Sequence, residues 1–437
     1  MASSQTANLN TVAGLSGLFH DVYINKVKPH LDHLSPMAGL FRSIGSKGYM
    51  LIGKQIVFAA QLRAAGGAMA TSGNLPDHQY QDKVQLNTTP TRAYVRRAVD
   101  EFVVARGVTP GVFEDFMADV QQQAVEAFER MQTRHIHGGS TAVVALCASR
   151  TSQTVVVLKD GYGHTGTNPM MFLEPGDILC WHDAGNNFAV GGAAKIASFV
   201  YSTKTVTFAG NFDDNMTTVT ANDPISFATT TDDSADHFES ERGKAPLGLR
   251  DILDPDAVNA SYLGVTEATY PRIKPLRKTS SQWGETEFTD FIREIQASGN
   301  SPVTPDNTVM SCQGAVLQEL ARTLVSFTQI MGKGQTLEGG WDTVRLAGFD
   351  FVEDGYHTHD ELMAHCLDDY VVADLDGEPS IAAIDGSEFS RLADFDGKEW
   401  YMRHYVQRWA DRRNRSGTLK GISISNYDAD QFAAVPR

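Results

Sequence analysis

The stretch TPGVFEDFMADVQQQAVEAFERMQTRHIHGG (109–139) carries the strongest helical pattern in the sequence. Thr109 suits the N-cap and Pro110 the first helical turn, while Gly138 suits the end of the helix. The sequence therefore predicts a helix over 109–137, which at the usual rise per residue would be about 40 Å long. Such a helix is long enough to run along a whole domain.

One face of this predicted helix is apolar along its length. Apolar side chains recur at intervals of three and four residues, which places them on one stripe of the helix surface. We expect Phe113, Phe116, Val120 and Phe128 to form the buried part of that stripe. The full set is Val112, Phe113, Phe116, Met117, Val120, Ala124, Ala127, Phe128 and Met131.

A long β-hairpin is predicted upstream, over 46–105. Its tip is the small-residue stretch LRAAGGAMATSGNLPD (62–77), which has almost no side chains that could pack a core. β-Branched and aromatic residues flank the tip on both sides, as is typical of strands. At about 3.3 Å per residue the hairpin would reach several tens of Å, further than the radius of a small domain. A tip of this composition has no partner within its own hairpin.

Downstream of the helix, the periodicity changes to that of strands over about 140–228, with Gly, Asn and Asp between short apolar runs. This pattern indicates a compact β-rich unit, inserted between other elements and exposed on the surface. The acidic segment 228–244 is typical of a solvated linker. Helical patterns at 285–298 and 313–334 alternate irregularly with further strands, so the fold class is α+β.

Length, charge and cysteine usage limit the class of protein. The 437 residues predict two or three structural units. Four scattered cysteines without a C-x-x-C pair suit a reducing compartment and positions in the core. The formal charge of −16 argues against a surface that binds nucleic acid or an anionic membrane. With no signal-peptide pattern and no long apolar run, we expect synthesis in the cytoplasm and no membrane partner.

The best candidate for chemistry is the stretch YHTHDELMAHC (356–366). Its possible metal ligands are His357, His359, His365 and Cys366. Zinc accepts this combination of ligands. The same stretch also fits a capping box, Thr358-x-x-Glu361, at the start of a short exposed helix, and we favour that interpretation. No common catalytic motif or dinucleotide fingerprint occurs elsewhere, so the sequence predicts no enzyme activity, no metal and no cofactor.

A basic run lies near the end of the sequence, with Tyr405 and Trp409 among its residues. Its members are Arg403, Arg408, Arg412, Arg413, Arg415 and Lys420. Arginines interleaved with aromatic residues are one pattern of single-strand nucleic-acid binding. In so acidic a chain, ion pairs to acidic neighbours explain the run better.

The order of these elements resembles that of the tailed-bacteriophage major capsid proteins with the Hong Kong 97-type fold. The resemblance covers most of the chain. It rests on GGAMATSGNLPD placed shortly before RRAVDEFVVARGVTPGVFEDFMADVQQQAVEAFERMQTRHIHGG, and on the ending HYVQRWADRRNRSGTLKGI. The order and spacing of these three stretches carry the resemblance.

The resemblance implies a division of the chain into segments. These are the N-terminal arm (1–45), the extended loop (46–105), the peripheral domain with its spine helix (106–149), a β-rich insertion domain (150–228), a linker with a peripheral-domain segment (229–279), the axial domain (280–394), and the return strand with the C-terminus (395–437). The insertion departs from the minimal form of the family, so its role is left open.

The resemblance also implies a function. The chain would assemble with itself as hexamers and pentamers into an icosahedral head shell that encloses double-stranded DNA without reading its sequence. The extended-loop tip would lie across the adjacent subunit, through Arg63, Gly66, Gly67, Met69, Gly73 and Pro76. The short N-terminal segment suggests a separate scaffolding protein, and a portal and a cement or decoration protein are further expected partners. The protein would reside in the virion.

Two other functions fit parts of the sequence. A metal-dependent enzyme would use His357, His359 and His365, and would carry tightly bound metal when purified. A β-rich viral adhesin or tail component would form small fixed oligomers. Particle size in solution separates these two from a shell-forming protein.

Overall fold

The computed structural model describes a large part of the chain. The described residues are 9–10, 35–44, 50–52, 55–63, 82–100, 112–164, 167–185, 189–212, 219–228, 240–257, 259, 261–281, 284–299, 301–325, 343–346, 348–374, 380–381, 390–391 and 397–424.

The described residues contain five α-helices, and one of them is much longer than the rest. They are α1 (Pro36–Ser43), α2 (Val112–Gly138), α3 (Leu249–Leu253), α4 (Glu285–Gly299) and α5 (Gly314–Val325). The long helix α2 has 27 residues, and it ends one residue later than predicted. Gly139, not Gly138, adopts the left-handed conformation that stops a helix, with φ of 92°. The predicted caps at Thr109 and Pro110 lie outside the described residues.

The strands are numbered in chain order. The first eleven are β1 (Leu9–Asn10), β2 (Met50–Ile52), β3 (Gln55–Arg63), β4 (Asp82–Thr88), β5 (Thr91–Asp100), β6 (Val143–Ser152), β7 (Val155–Lys159), β8 (Ile178–Asp183), β9 (Ala189–Val200), β10 (Thr205–Phe208) and β11 (Pro224–Phe227). The others are β12 (Ser261–Tyr262), β13 (Val265–Thr266), β14 (Leu276–Thr279), β15 (Thr308–Cys312), β16 (Thr343–Leu346), β17 (Phe349–Glu353), β18 (Glu361–Cys366), β19 (Tyr370–Asp374), β20 (Ser380–Ile381), β21 (Ser390–Arg391), β22 (Gly397–Ala410) and β23 (Gly417–Lys420).

One sheet joins the two ends of the sequence, and we call it the long sheet. Its strand order is β1-β5-β22-β19, and β20 and β21 also pair with β22. Strands β5 and β22 run antiparallel from Thr91 opposite Val406 to Asp100 opposite Gly397. The predicted hairpin therefore keeps β3 and β4, which pair with each other, whereas β5 belongs to the long sheet. The predicted segment boundaries of 46–105 and its neighbours stay predictions.

The long helix packs on one face of the long sheet. Ala124 and Phe128 of α2 are buried, and the Phe128 ring lies 5.7 Å from the ring of His404 on β22. Gln132, one turn later, hydrogen-bonds the same imidazole at 3.1 Å. Alternate residues of β22 point to this helix, because successive side chains of a strand point to opposite faces.

A closed barrel follows the long helix. Its strand order is β10-β7-β6-β11-β8-β9, and each of these strands pairs only within the barrel. The interior is filled by a cluster that includes Trp181, Phe208 and Phe212. The barrel begins at Val143, before the predicted boundary at 150. Its position on an outer surface, as an inserted domain, stays a prediction.

The second half of the chain builds a mixed sheet with the order β14-β23-β18-β15-β17-β16. Helices α4 and α5 supply Phe288, Phe291 and Val316 to a core that also contains Phe351 and Leu419 from the sheet. The helical patterns predicted at 285–298 and 313–334 are confirmed at α4 and at the described part of the second, α5. The α+β class is also confirmed.

We expect Phe128→Ala to lower the free energy of unfolding by about 3 to 5 kcal/mol, because a buried aromatic ring would leave a cavity between α2 and the long sheet. Val125 lies on the same helix and is 43% exposed, so Val125→Ala should change the stability by less than about 0.5 kcal/mol. Denaturant titrations of the two variants measure both values. Equal stabilities would show that the ring does not join helix to sheet.

Candidate functional site

The root of the predicted extended loop is fixed to the body of the chain. Ile56 of β3 is fully buried, and the Phe58 ring stacks on Trp409 of β22 with ring centres 5.4 Å apart. Ile56 and Trp409 belong to one cluster with Tyr262, against which Phe58 also packs. The hairpin therefore leaves the body from a packed apolar base.

A buried glutamine reinforces this base. The side-chain amide of Gln407 donates to Thr88 Oγ1 at 2.9 Å and to the carbonyl of Thr89 at 2.8 Å. Its carbonyl oxygen accepts from the backbone N–H of Leu247 at 2.9 Å. One side chain of β22 thus holds the return strand of the hairpin and the segment before α3 at once.

The predicted contact residues of the loop tip fall mostly outside the described residues. Arg63 ends β3, next to a register shift opposite Asp82, and only its backbone is described. The remaining tip residues lie outside the described part: Gly66, Gly67, Met69, Gly73 and Pro76. Their contact with a neighbouring subunit therefore stays a prediction.

The predicted helix core is described only in its C-terminal half. Phe128 is buried, as stated above. The side chains of Phe113, Phe116 and Val120 are outside the described part, so their burial stays a prediction. Sequence reasoning missed the polar side chains that follow Phe128, which make two connections from the helix to other parts of the chain.

The first of these connections is to the barrel. Arg130 pairs with Asp177 at 2.5 Å and with Glu174 at 3.2 Å. Arg134 pairs with Glu241 at 2.5 Å, and its guanidinium lies 3.9 Å from the centre of the Phe227 ring. Burial alone would raise the pKa of Glu241, but the charge of Arg134 and a hydrogen bond from His135 lower it to about 2.

The second connection is a buried junction at the end of α2. His137 Nε2 lies 3.2 Å from the fully buried Asp354 carboxylate and 3.3 Å from Ser35 Oγ. The same carboxylate accepts from the backbone N–H of Met37 at 3.4 Å. Burial alone would raise the pKa of Asp354, but His137, His357 and a backbone hydrogen bond from Tyr356 together hold it below its usual value. The base of the N-terminal segment is thereby tied to α2.

The predicted capping box is wrong. Thr358 and Glu361 are buried, and Glu361 begins strand β18 rather than a helix. Arg250 of α3 pairs with Glu361 at 2.9 Å and also contacts the hydroxyl of Thr358. The buried carboxylate is compensated by this guanidinium, a partner far away in sequence that a local pattern cannot reveal.

The histidines of this stretch do not converge on a metal site. His365 is bonded through both ring nitrogens, to Ser311 Oγ at 2.6 Å and to the Tyr370 hydroxyl at 3.0 Å. His357 lies in the turn before β18, with its ring edge-on to His137 at 5.0 Å, and burial lowers its pKa well below the usual value. Within the described residues, no group of three His, Cys, Asp or Glu side chains could hold a metal ion.

The basic run is used for ion pairs, as predicted. Arg412 and Arg415 both reach Asp369, at 2.8 and 3.0 Å. Arg413 pairs with Glu267 at 2.9 Å, and Lys420 contacts Asp256. Four members of the run therefore stabilise the subunit itself.

The cysteines also take up the positions predicted for them. All four are buried and free: Cys147, Cys180, Cys312 and Cys366. Burial raises the pKa of the Cys180 and Cys366 thiols to about 11, so they are protonated near neutral pH.

No helix among the described residues has the length and apolar character needed to cross a membrane.

We expect the stability to fall with acid, and His365 to account for part of the loss. Burial, with a smaller effect of His137, lowers the pKa of His365 to about 3. A depressed folded-state pKa contributes stability above the unfolded pKa near 6.5, and that stability is lost as the pH falls toward the folded pKa. Between pH 7 and pH 4 the loss from this group should be about 3 kcal/mol.

His365→Gln should remove that part of the pH dependence, and denaturant titrations at both pH values measure it. Ser311→Ala serves as the control, because it removes one hydrogen bond but keeps the imidazole. The control should be less stable at both pH values, with an unchanged loss on acidification. A parental pH dependence in His365→Gln would contradict the assignment.

The sequence matches no protein-family model and no curated protein, whereas the structure resembles solved capsid structures. The cyanophage A-1(L) capsid asymmetric unit shares 11% identity, with 92% of this chain and 95% of that chain covered, at a TM-score of 0.53. An encapsulin complex (holo-SrpI) from Synechococcus elongatus PCC 7942 shares 7% identity over 96% and 98% of the chains, at 0.45. The capsid of an empty GTA particle shares 8% over 94% and 98%, at 0.43.

The similarity to the cyanophage capsid subunit has a TM-score above 0.5, as expected of chains that share a fold. It extends over more than nine-tenths of both chains. At this level of identity, the similarity establishes the architecture of the chain. The chain therefore has the phage capsid fold that its order of elements predicts.

Proposed function

We propose that this chain is the major capsid protein of a tailed bacteriophage, and that its copies assemble as hexamers and pentamers into the icosahedral shell of the head. The observation that carries the proposal is the similarity to a cyanophage capsid subunit over nearly the whole length of both chains. The role is structural. The metal-dependent enzyme receives no support from the described residues, because His365 is occupied on both ring nitrogens.

The anchored hairpin supports a mechanism of assembly. A base held by Phe58, Trp409 and Gln407 fixes the direction in which the hairpin leaves the subunit. A hairpin fixed at its base delivers its tip to one defined position on a neighbour. Each such contact can be weak, because every subunit of a closed ring repeats it and the contacts act together.

The expected partners follow from the same proposal. The shell would enclose double-stranded DNA without sequence-specific binding. The formal charge of −16 agrees with this role, because a strongly acidic chain binds DNA weakly. A separate scaffolding protein would guide assembly, a portal would occupy one vertex, and a cement or decoration protein is a further candidate. The protein would be made in the host cytoplasm and reside in the virion.

The full-length chain should form closed particles, alone or with a scaffold, in sedimentation and negative-stain imaging. Replacing residues 66–73 by Asn-Gly should abolish these particles. The two-residue turn keeps the hairpin closed while it removes about 20 Å of strand length. The melting temperature should stay near that of the parent, because this segment contains no large apolar side chain except Met69.

A length-preserving variant, Ala68→Ser with Ala70→Ser, is the matched control and should still form particles. Normal particles from the shortened chain would refute the role of the tip. A much lower melting temperature would instead mean that the tip packs on its own subunit. Stable monomers from the parent chain under virion-like conditions would refute the proposed function itself.

A further inference from the structure

The long sheet has one face covered by α2 and one face that carries arginines and tyrosines. On β22, Trp400, Met402 and His404 are buried toward the helix. The residues between them point the other way, together with alternate residues of β5. We call this set the arginine–tyrosine face; its members are Arg92, Tyr94, Arg96, Tyr401, Arg403 and Tyr405.

The strand register arranges these six side chains in alternation. Each arginine of one strand lies opposite a tyrosine of the other strand. The three pairs are Arg92 with Tyr405, Tyr94 with Arg403, and Arg96 with Tyr401. Same-face neighbours are about 6.6 Å apart along a strand and about 4.8 Å apart between strands. The six residues therefore form one continuous patch.

The side chains of the patch hold one another in place. The guanidinium groups of Arg92 and Arg403 lie 5.8 and 5.7 Å from the centre of the Tyr405 ring. The Tyr94 ring meets Tyr401 and Tyr405 edge-on, with ring centres 6.0 and 6.4 Å apart. A surface whose side chains are already ordered loses less conformational entropy when a partner binds.

The patch is nevertheless open to solvent. Tyr94 is 46% exposed, which is unusual for a large aromatic side chain within a sheet, and the Arg96 side chain is 55% exposed. Arg96 already binds one carboxylate, that of Glu399, with its Nε donating at 2.7 Å. Tyrosine and arginine are also the residues that most often dominate the binding energy of protein interfaces.

The charge of the patch is opposite to that of the chain. Among the side chains of this face that the structure describes, three arginines stand against the acid Glu399, on a chain with a formal charge of −16. A second copy of the chain therefore offers a predominantly acidic surface to this patch. Nucleic acid is the poorer fit, because its phosphates would have to approach a chain that is strongly acidic as a whole.

We propose that the arginine–tyrosine face docks on an acidic surface of a second copy of this chain. The inference rests on the proposed function, since a shell needs contacts between copies, and it names one surface that supplies such a contact. Opposite charges orient the two copies as they meet, and the tyrosine rings supply the contact area once water is displaced.

The test compares charge reversals at two sites in the full-length chain. Arg92→Glu lies in the patch. Arg293→Glu lies on α4, where the side chain is 73% exposed and lies 3.7 Å from Asp290. Both variants change the net charge equally, so a general charge effect would be the same in both. Tyr94→Ala removes a ring from the patch without a change of charge.

Sedimentation velocity over a concentration series measures self-association, with melting temperatures as the check on folding. We expect Arg92→Glu and Tyr94→Ala to raise the dissociation constant at least about tenfold, and Arg293→Glu to change it less than about twofold. Added salt should weaken the parent more than Arg92→Glu, because the charged contact is already lost in that variant.

The outcomes separate this inference from the proposed function. If the parent forms particles and both patch variants associate as strongly as Arg293→Glu, the inference is wrong and the proposed function stands. If the parent stays monomeric, both are wrong. A single-stranded thirty-nucleotide oligothymidylate, followed by fluorescence anisotropy, is the second probe. Binding that Arg92→Glu abolishes, together with unchanged self-association, would assign the patch to nucleic acid instead.

Discussion

The pairing of β5 with β22 is the constraint on which the rest of the structure depends. It holds ten residue pairs in register between segments about three hundred positions apart in the sequence. The long helix packs on the buried face of β22 at His404. The root of the hairpin packs on the end of the same strand at Trp409. Because a one-residue slip would turn every side chain to the opposite face, the helix, the hairpin and the exposed patch all share one register.

The same pairing places a condition on folding. The long helix lies early in the sequence, yet the strand that covers it lies near the other end. Long-range contacts of this kind form slowly, because the chain between them must first be closed into a loop. Until β22 arrives, Phe128 of α2 lacks its contact with His404, and the root of the hairpin lacks its contact with Trp409.

The buried polar groups fix the arrangement more than they add stability. Arg250 with Glu361 and His137 with Asp354 are removed from water, and desolvation offsets much of their attraction. Loss of Arg250 would be costly, because the Glu361 carboxylate would stay buried without its partner. Each pair joins elements distant in sequence: α3 to β18, and α2 to the turn after β17. Any other packing of these elements would bury the same polar groups without their partners, and would therefore be less stable.

Local patterns predicted the existence of most elements, because helices and strands have short periods. The apolar stripe predicted α2, and alternating residues predicted the hairpin strands and the β-rich region. Tertiary partners could not be predicted in this way. The strand pattern at 91–100 was interpreted as a continuation of the hairpin, because no local pattern indicates that this segment pairs with β22. Thr358 and Glu361 matched a helix start because the sequence around them does not show that Arg250 will pair with that carboxylate.

The barrel shows how a large unit can be accommodated without disturbing this register. Its first and last strands, β6 and β11, are neighbours, and Val143 lies opposite Ser226. The chain therefore enters and leaves the barrel at adjacent points, so the elements on either side need not be moved apart. Arg130 and Arg134 then fix its orientation against α2 through acidic partners and the Phe227 ring. A change inside the barrel can therefore leave the pairing of β5 with β22 unaltered.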